Sequence, residues 1–92
     1  MKILAVCGMG LGSGLLLRMQ AEKALKQLGI QADLEVADIG TARAAAATAD
    51  LIITSEELAQ QLGEVKPRIV TITNFVSLPE MVSKLEAALR DH

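Results

Sequence analysis

The sequence predicts an α/β protein built on a parallel β-sheet. Short apolar runs alternate with helix-like segments along its 92 residues, in the order βαβαβαβα. Parallel strands need crossover helices, and the right-handed rule for such crossovers places helices on both faces of the sheet. We therefore expect one domain over residues 1–92, a three-layer sandwich with four parallel strands in the order 2-1-3-4.

The four predicted strands are short and mostly apolar. Lys2–Val6 and Leu51–Ile53 are continuous apolar runs, typical of central strands that are buried on both faces. In Ala32–Ala37 apolar residues alternate with acidic ones, which favours an edge strand with one face in water. Arg68–Ile72 is the fourth strand.

Apolar periodicity together with start and stop signals predicts the helices. Leu15–Leu28 carries one apolar stripe and ends at a glycine, and the alanine-rich segment Thr41–Thr48 forms the second helix. The capping-box pattern of Thr54–Glu57 opens a short helix that ends at Leu62. A second capping box, Ser77–Glu80, opens the last helix.

Composition and charge exclude several classes of function. A net charge of −2 and a single aromatic residue argue against nucleic-acid binding, which needs basic surface and stacking rings. No apolar run approaches the roughly 20 residues of a membrane span, and no signal peptide is recognisable. One cysteine and one histidine leave no metal cluster. We expect a cytoplasmic monomer with no membrane insertion, no metal and no cofactor.

The segment between the first strand and the first helix is the candidate functional site. It reads Cys7-Gly8-Met9-Gly10-Leu11-Gly12-Ser13. Ligands of such sheets bind beyond the carboxyl ends of the strands, where this segment lies. Glycines before a helix N-terminus expose backbone N–H groups that bind anions, and a helix N-terminus favours the thiolate form of cysteine. Cys7 is therefore the candidate nucleophile.

Polar residues that follow the third and fourth strands open onto the same edge of the sheet. We interpret them as helix caps and turn residues, as their types favour. The residues at this edge are Thr54, Ser55, Thr73 and Asn74, and the cap and turn interpretation applies to Thr54, Ser55 and Asn74.

Known phosphate-binding motifs do not fit the segment. A Walker A loop requires a lysine, but none occurs between Lys2 and Lys23. The GxGxxG fingerprint fails because Ser13 and Leu15 stand where its third glycine is required. A Cys-x5-Arg phosphatase loop would need arginine at position 13. A thiol among anion-binding N–H groups, with neither an arginine clamp nor a resident base, suits a phosphoryl carrier better than a hydrolase.

The segment resembles the active loop of the IIB components of the bacterial phosphoenolpyruvate-dependent sugar phosphotransferase system. The similarity covers nearly the whole chain, including Asn74–Pro79 before the last helix. The chain looks closest to the lactose/cellobiose-type superfamily and, within it, to ascorbate-type IIB proteins, whose loop commonly reads CGxGxGSS. Gly14 stands here in place of the second serine of that pattern.

The resemblance implies a protein-phosphocysteine–sugar phosphotransferase. Cys7 would accept a phosphoryl group from a phosphohistidine of a IIA protein and pass it to an ascorbate-like sugar at the membrane IIC transporter. The N–H groups of residues 8–13 and the Ser13 hydroxyl would hold the phosphoryl oxygens. The sugar stays open. Two alternatives also remain, a small cysteine-dependent phosphatase and a non-catalytic regulatory module with the same fold.

Overall fold

The computed structural model describes residues 1–8 and 13–90, with Ser13 and Gly14 described by their backbone. Within these ranges the parallel strands form one sheet in the order β2-β1-β3-β4, which confirms the predicted order. The strands are β1 (Lys2–Cys7), β2 (Asp33–Asp38), β3 (Leu51–Thr54) and β4 (Arg68–Thr71). The helices are α1 (Ser13–Leu28), α2 (Ala42–Ala46), α3 (Glu56–Leu62) and α4 (Leu78–Arg90).

Each face of the sheet packs against two helices. One face and the helices α1 and α4 share a large core that includes Ile3, Leu17 and Leu85. The other face packs against α2 and α3 in a smaller core that includes Leu4 and Leu62. Right-handed crossovers require this division, because the chain moves in one direction from β1 to β2 and in the other from β2 to β3 and β4. The direction therefore changes between β1 and β3, where sheets of this kind bind ligands.

The second helix is shorter than the sequence predicts. We expected it over Thr41–Thr48, but α2 ends at Ala46. Beyond it the backbone tightens into bonds to the third preceding residue, from Ala47 N to Ala44 O and from Thr48 N to Ala45 O, both at 3.3 Å. Such tight turns satisfy the last carbonyl groups of a helix and end it.

Both predicted capping boxes start helices, but in one of them the capping residue differs from the prediction. In α3 the cap is Ser55, whose Oγ accepts a hydrogen bond from Leu58 N at 3.2 Å. The interpretation of Thr54 as a cap is wrong, because it is the last residue of β3 and its side chain is buried. In α4, Ser77 Oγ accepts from Glu80 N at 3.3 Å, as predicted.

The carboxylate of Glu80 secures the connection between β4 and α4. It accepts hydrogen bonds from Thr73 N at 2.6 Å and Asn74 N at 2.8 Å, and Lys84 Nζ lies 2.6 Å from it. Lys84 also donates to Thr71 O at 2.6 Å. The hydrogen bonds from Lys84 and Thr73, only partly opposed by desolvation, lower the pKa of Glu80 from 4.5 to about 2.

This carboxylate gives stability a defined pH dependence. Because the pKa of Glu80 is lowered on folding, its contribution is complete above about pH 4.5 and is lost as the pH falls through about 2. We expect Glu80→Gln to cost about 1–2 kcal/mol near neutral pH, or roughly 5–10 °C in Tm. Thermal unfolding followed by circular dichroism should show the two Tm values converging as the pH approaches 2. A difference that stays constant with pH would contradict the assignment.

Candidate active site

Cys7 is the last residue of β1, one of the two central strands. Its side chain is 9% exposed, and its thiol donates to Ala37 O at an Sγ–O distance of 3.7 Å. Ile3 and Ala5 pack in the core beneath α1 and α4, and strand alternation places Cys7 on the same face. The thiol therefore lies at the carboxyl edge of the sheet and is largely shielded from solvent.

The residues predicted to hold phosphate are described only in part. Gly8 follows β1 directly, and Ser13 is the first residue of α1. A Cβ atom on Gly8 would lie 4.0 Å from Leu58 Cδ2, so this part of the segment faces α3 as well. The predicted site residues Met9, Gly10, Leu11 and Gly12 lie outside the described residues.

Two helices begin at this edge of the sheet, and only one of them has acidic residues in its first turn. The first turn of α3 contains Glu56 and Glu57, whose charges offset the positive end of the helix dipole. The first turn of α1 contains no acidic residue. The N-terminus of α1, which follows the glycine segment, is thus the better place for an anion.

The neighbour of Cys7 on β2 is the acidic residue Asp38. Oδ1 of its carboxylate accepts hydrogen bonds from Thr41 N at 2.9 Å and from Thr41 Oγ1 at 3.1 Å, within the turn that follows β2. Oδ1 of Asp38 therefore fixes the start of α2, and the hydrogen bond of the Cys7 thiol goes to Ala37 O instead of to this carboxylate.

Thr54 binds the strand that carries Cys7. Its buried hydroxyl donates to Val6 O at 2.8 Å, and its own carbonyl oxygen accepts from Ile72 N at 2.8 Å. Sequence reasoning missed this contact because a threonine before a serine and two glutamates is typical of a cap. The available signal was the β-branched residue at the end of an apolar run, which can equally continue the strand.

The other two residues interpreted as caps or turn residues, Ser55 and Asn74, form hydrogen bonds within their own turns. Ser55 caps α3, as described above, and Asn74 Oδ1 accepts from Val76 N at 3.0 Å, which is an Asx turn. The interpretation of these two residues as cap and turn residues is confirmed.

On α1, the side chain of Arg18 forms an exposed ion pair with Glu22, with Nε and Oε1 2.9 Å apart.

A surface groove among the described residues lies away from Cys7. It measures about 730 Å³ and is found at the amino ends of β1 and β2, lined in part by Met1, Leu25 and Ile30. The length of the sheet separates it from the thiol, so it has no place in chemistry at Cys7. Among residues 1–8 and 13–90, no cluster of histidine, cysteine or acidic side chains is arranged to bind a metal ion.

The family is decided by comparison with known proteins. A family model described as "PTS system, Lactose/Cellobiose specific IIB subunit" matches residues 2–90. The chain belongs to this family. Membership confirms the resemblance seen in the sequence and gives the chain a general role, since IIB subunits are phosphotransferase components of sugar transport systems.

Relatives of this IIB subunit cover nearly its full length. The ascorbate-specific PTS system EIIB component of Mycoplasma pneumoniae is 32% identical over 88 residues, which are 95% of this chain and 93% of that protein. The component of the same name from Salmonella typhimurium is 28% identical over 92 residues, covering 99% and 91% of the two chains.

A solved structure confirms the fold of the IIB subunit. The lactose-specific IIB component domain from Streptococcus pneumoniae superposes with a TM-score of 0.61 at 16% identity, covering 98% of this chain and 95% of that one. In the described part of the chain, moreover, no helix has both the length and the apolarity needed to cross a membrane.

Proposed function

We propose that this IIB subunit is a phosphoryl carrier in which Cys7 accepts the group from a phosphohistidine of a IIA protein. It then passes the group to an ascorbate-like sugar bound by a membrane IIC transporter. The observation that carries the proposal is the position of the thiol. Cys7 ends a central strand directly before the glycine segment that leads to the N-terminus of α1.

Electrostatics support an anion at this place. The glycine segment and the start of α1 offer backbone N–H groups, and no acidic side chain in the first turn of α1 repels a phosphoryl group. In this proposal the N–H groups of residues 8–13 and the hydroxyl of Ser13 bind the three phosphoryl oxygens. No metal or cofactor is required, because the charge is met by these donors.

The transfer has two balanced steps. The thiol of Cys7 first loses its proton to solvent, and the sulfur then attacks phosphorus in line. The S–P bond forms as the P–N bond breaks, and the electron pair stays on the imidazole of the IIA histidine. In the second step a sugar hydroxyl oxygen attacks phosphorus and releases its proton to solvent, the S–P bond breaks with its electron pair staying on sulfur, and the thiolate of Cys7 is restored.

The surroundings of Cys7 favour a carrier over a hydrolase. Hydrolysis needs a group that activates water, and Oδ1 of the adjacent Asp38 carboxylate already accepts two hydrogen bonds from Thr41. Position 13, where a cysteine phosphatase of the Cys-x5-Arg type has its arginine, holds serine. A phosphocysteine formed here is therefore expected to persist until an acceptor arrives.

The partners follow from the proposed chemistry. The sequence has one histidine, His92, and in this proposal the donor histidine belongs to a IIA protein. The assignment of an ascorbate-like sugar rests on the names of the relatives from Mycoplasma pneumoniae and Salmonella typhimurium. We further propose that the subunit works in the cytoplasm as a monomer that forms transient complexes.

The proposal predicts a stable phosphorylated form of the protein. Incubation with phosphoenolpyruvate, the general phosphotransfer proteins and a matching IIA should add one phosphoryl group to the intact mass. The group should persist after the donor is removed and disappear when membranes containing IIC and ascorbate are added. Omission of IIA is the control. Steady release of inorganic phosphate would indicate a phosphatase, and absence of an adduct with several IIA proteins would indicate a regulatory module.

A further inference from the structure

We infer that Thr54 is a positioning residue for Cys7, an inference that rests on the proposed function. Thr54 is fully buried, and its hydroxyl donates to Val6 O at 2.8 Å. That oxygen belongs to the peptide bond between Val6 and Cys7. The hydrogen bond therefore sets the orientation of the peptide plane from which the nucleophile projects.

The carbonyl group of Val6 needs this partner because β1 and β3 separate at this point. Pairing between β1 and β3 ends at Ala5 and Ile53, whereas pairing between β1 and β2 continues to Cys7 and Asp38. A buried carbonyl group without a partner is costly. The hydroxyl of Thr54 takes the place of the missing ladder bond.

The backbone of Thr54 is itself held from the other side. Thr54 pairs with Thr71 of β4, and its carbonyl oxygen accepts from Ile72 N at 2.8 Å. The residue thus joins β4 through its backbone and β1 through its side chain. Thr54 thus connects β1 and β4 at the carboxyl edge, where β1 and β3 separate next to the candidate active site.

Cys7 is consequently held by both neighbouring strands. On one side it pairs with β2, and its thiol donates to Ala37 O. On the other side Thr54 fixes the preceding carbonyl group. In-line attack on phosphorus depends on where the sulfur lies, and a misplacement of about 1 Å can cost roughly a hundredfold in rate. Thr54 does not touch the reacting atoms, so its effect passes through the backbone of Cys7.

Substitution of Thr54 tests the inference with matched controls. Thr54→Val removes the hydroxyl and keeps the shape, and we expect kcat for transfer from phosphorylated IIA to fall about ten- to hundredfold. KM for phosphorylated IIA should change by less than about twofold, because Thr54 is fully buried and presents no surface to a partner. Thr54→Ser keeps the hydroxyl and should restore kcat to within about threefold of the wild type.

Thr71→Val is the control for loss of a hydroxyl at the carboxyl edge. Thr71 is paired with Thr54, and its hydroxyl makes no hydrogen bond within residues 1–8 and 13–90. This variant should transfer phosphoryl groups at the wild-type rate. Circular dichroism should show that every variant is folded at the assay temperature. Should Thr54→Val not fold, Thr54→Ala and Thr54→Ser provide the same comparison with and without the hydroxyl.

The possible outcomes distinguish failure of this inference from failure of the proposed function. If the wild type is phosphorylated and Thr54→Val is equally fast, the inference is wrong and the proposed function stands. Equal slowing by Thr54→Val and Thr54→Ser would also overturn it, because packing would then account for the effect. If the wild type itself accepts no phosphoryl group, the proposed function fails, and the positioning role fails with it.

Discussion

Cys7→Ser is expected to abolish the acceptance of a phosphoryl group from IIA. A serine hydroxyl stays protonated near neutral pH and is a much weaker nucleophile than a thiolate. Removal of a nucleophile leaves only binding and positioning, so transfer should fall by a factor on the order of a thousand or more. The measurement is the single-turnover rate at which intact-mass spectrometry detects the phosphorylated chain.

Two controls show whether the loss of transfer is due to the missing thiol and not to a loss of stability. The serine hydroxyl can still donate to Ala37 O, so the Tm of Cys7→Ser should stay within a few degrees of the wild type. Cys7→Ala removes this donor too, and it should be equally inactive. A rate for Cys7→Ser within about tenfold of the wild type would contradict a role for Cys7 as nucleophile.

Leu4→Ala is expected to have the largest effect on stability. Leu4 lies on a central strand and is fully buried in the core formed with α2 and α3. Truncation of such a side chain leaves a cavity and costs about 2–5 kcal/mol. Since domains of this size are stabilised by about 5–15 kcal/mol, a large part of the total would be lost. Urea unfolding at neutral pH measures the change in the free energy of unfolding.

Leu15→Ala is the matched control on the surface. Leu15 is 63% exposed in the first turn of α1, so removal of the same atoms leaves no cavity. We expect its free energy of unfolding to change by no more than about 0.5 kcal/mol. Similar losses for the two variants would contradict the assignment of the core.

Much of the fold could be predicted because its main features follow from local patterns. The continuous apolar run of β1 and the alternation in β2 distinguish a central strand from an edge strand, and the right-handed crossover rule then restricts the strand order. Ends were less predictable because they depend on competition between hydrogen bonds. The second helix stops at Ala46 since the backbone changes to tighter turns.

The candidate active site was predictable only where one stretch of sequence contains it. Cys7 and the glycine segment are contiguous, so their chemistry can be inferred from their order. The contact between Thr54 and Val6 joins residues 48 positions apart. The carboxylate of Glu80 likewise accepts from Thr73 N and Asn74 N, seven and six positions earlier in the chain. Which donor satisfies a given acceptor depends on packing in three dimensions, and local propensity does not determine it.

The most direct test of the central claim is the position of the phosphoryl group on the chain. The protein would be phosphorylated with phosphoenolpyruvate, the general phosphotransfer proteins and IIA, then fragmented by electron transfer under conditions that preserve S–P bonds. Fragmentation between Cys7 and Ser13 is required, because both residues lie in one tryptic peptide. We predict that the group is on Cys7. A phosphoryl group on Ser13 or His92, with Cys7 unmodified, would contradict the proposal.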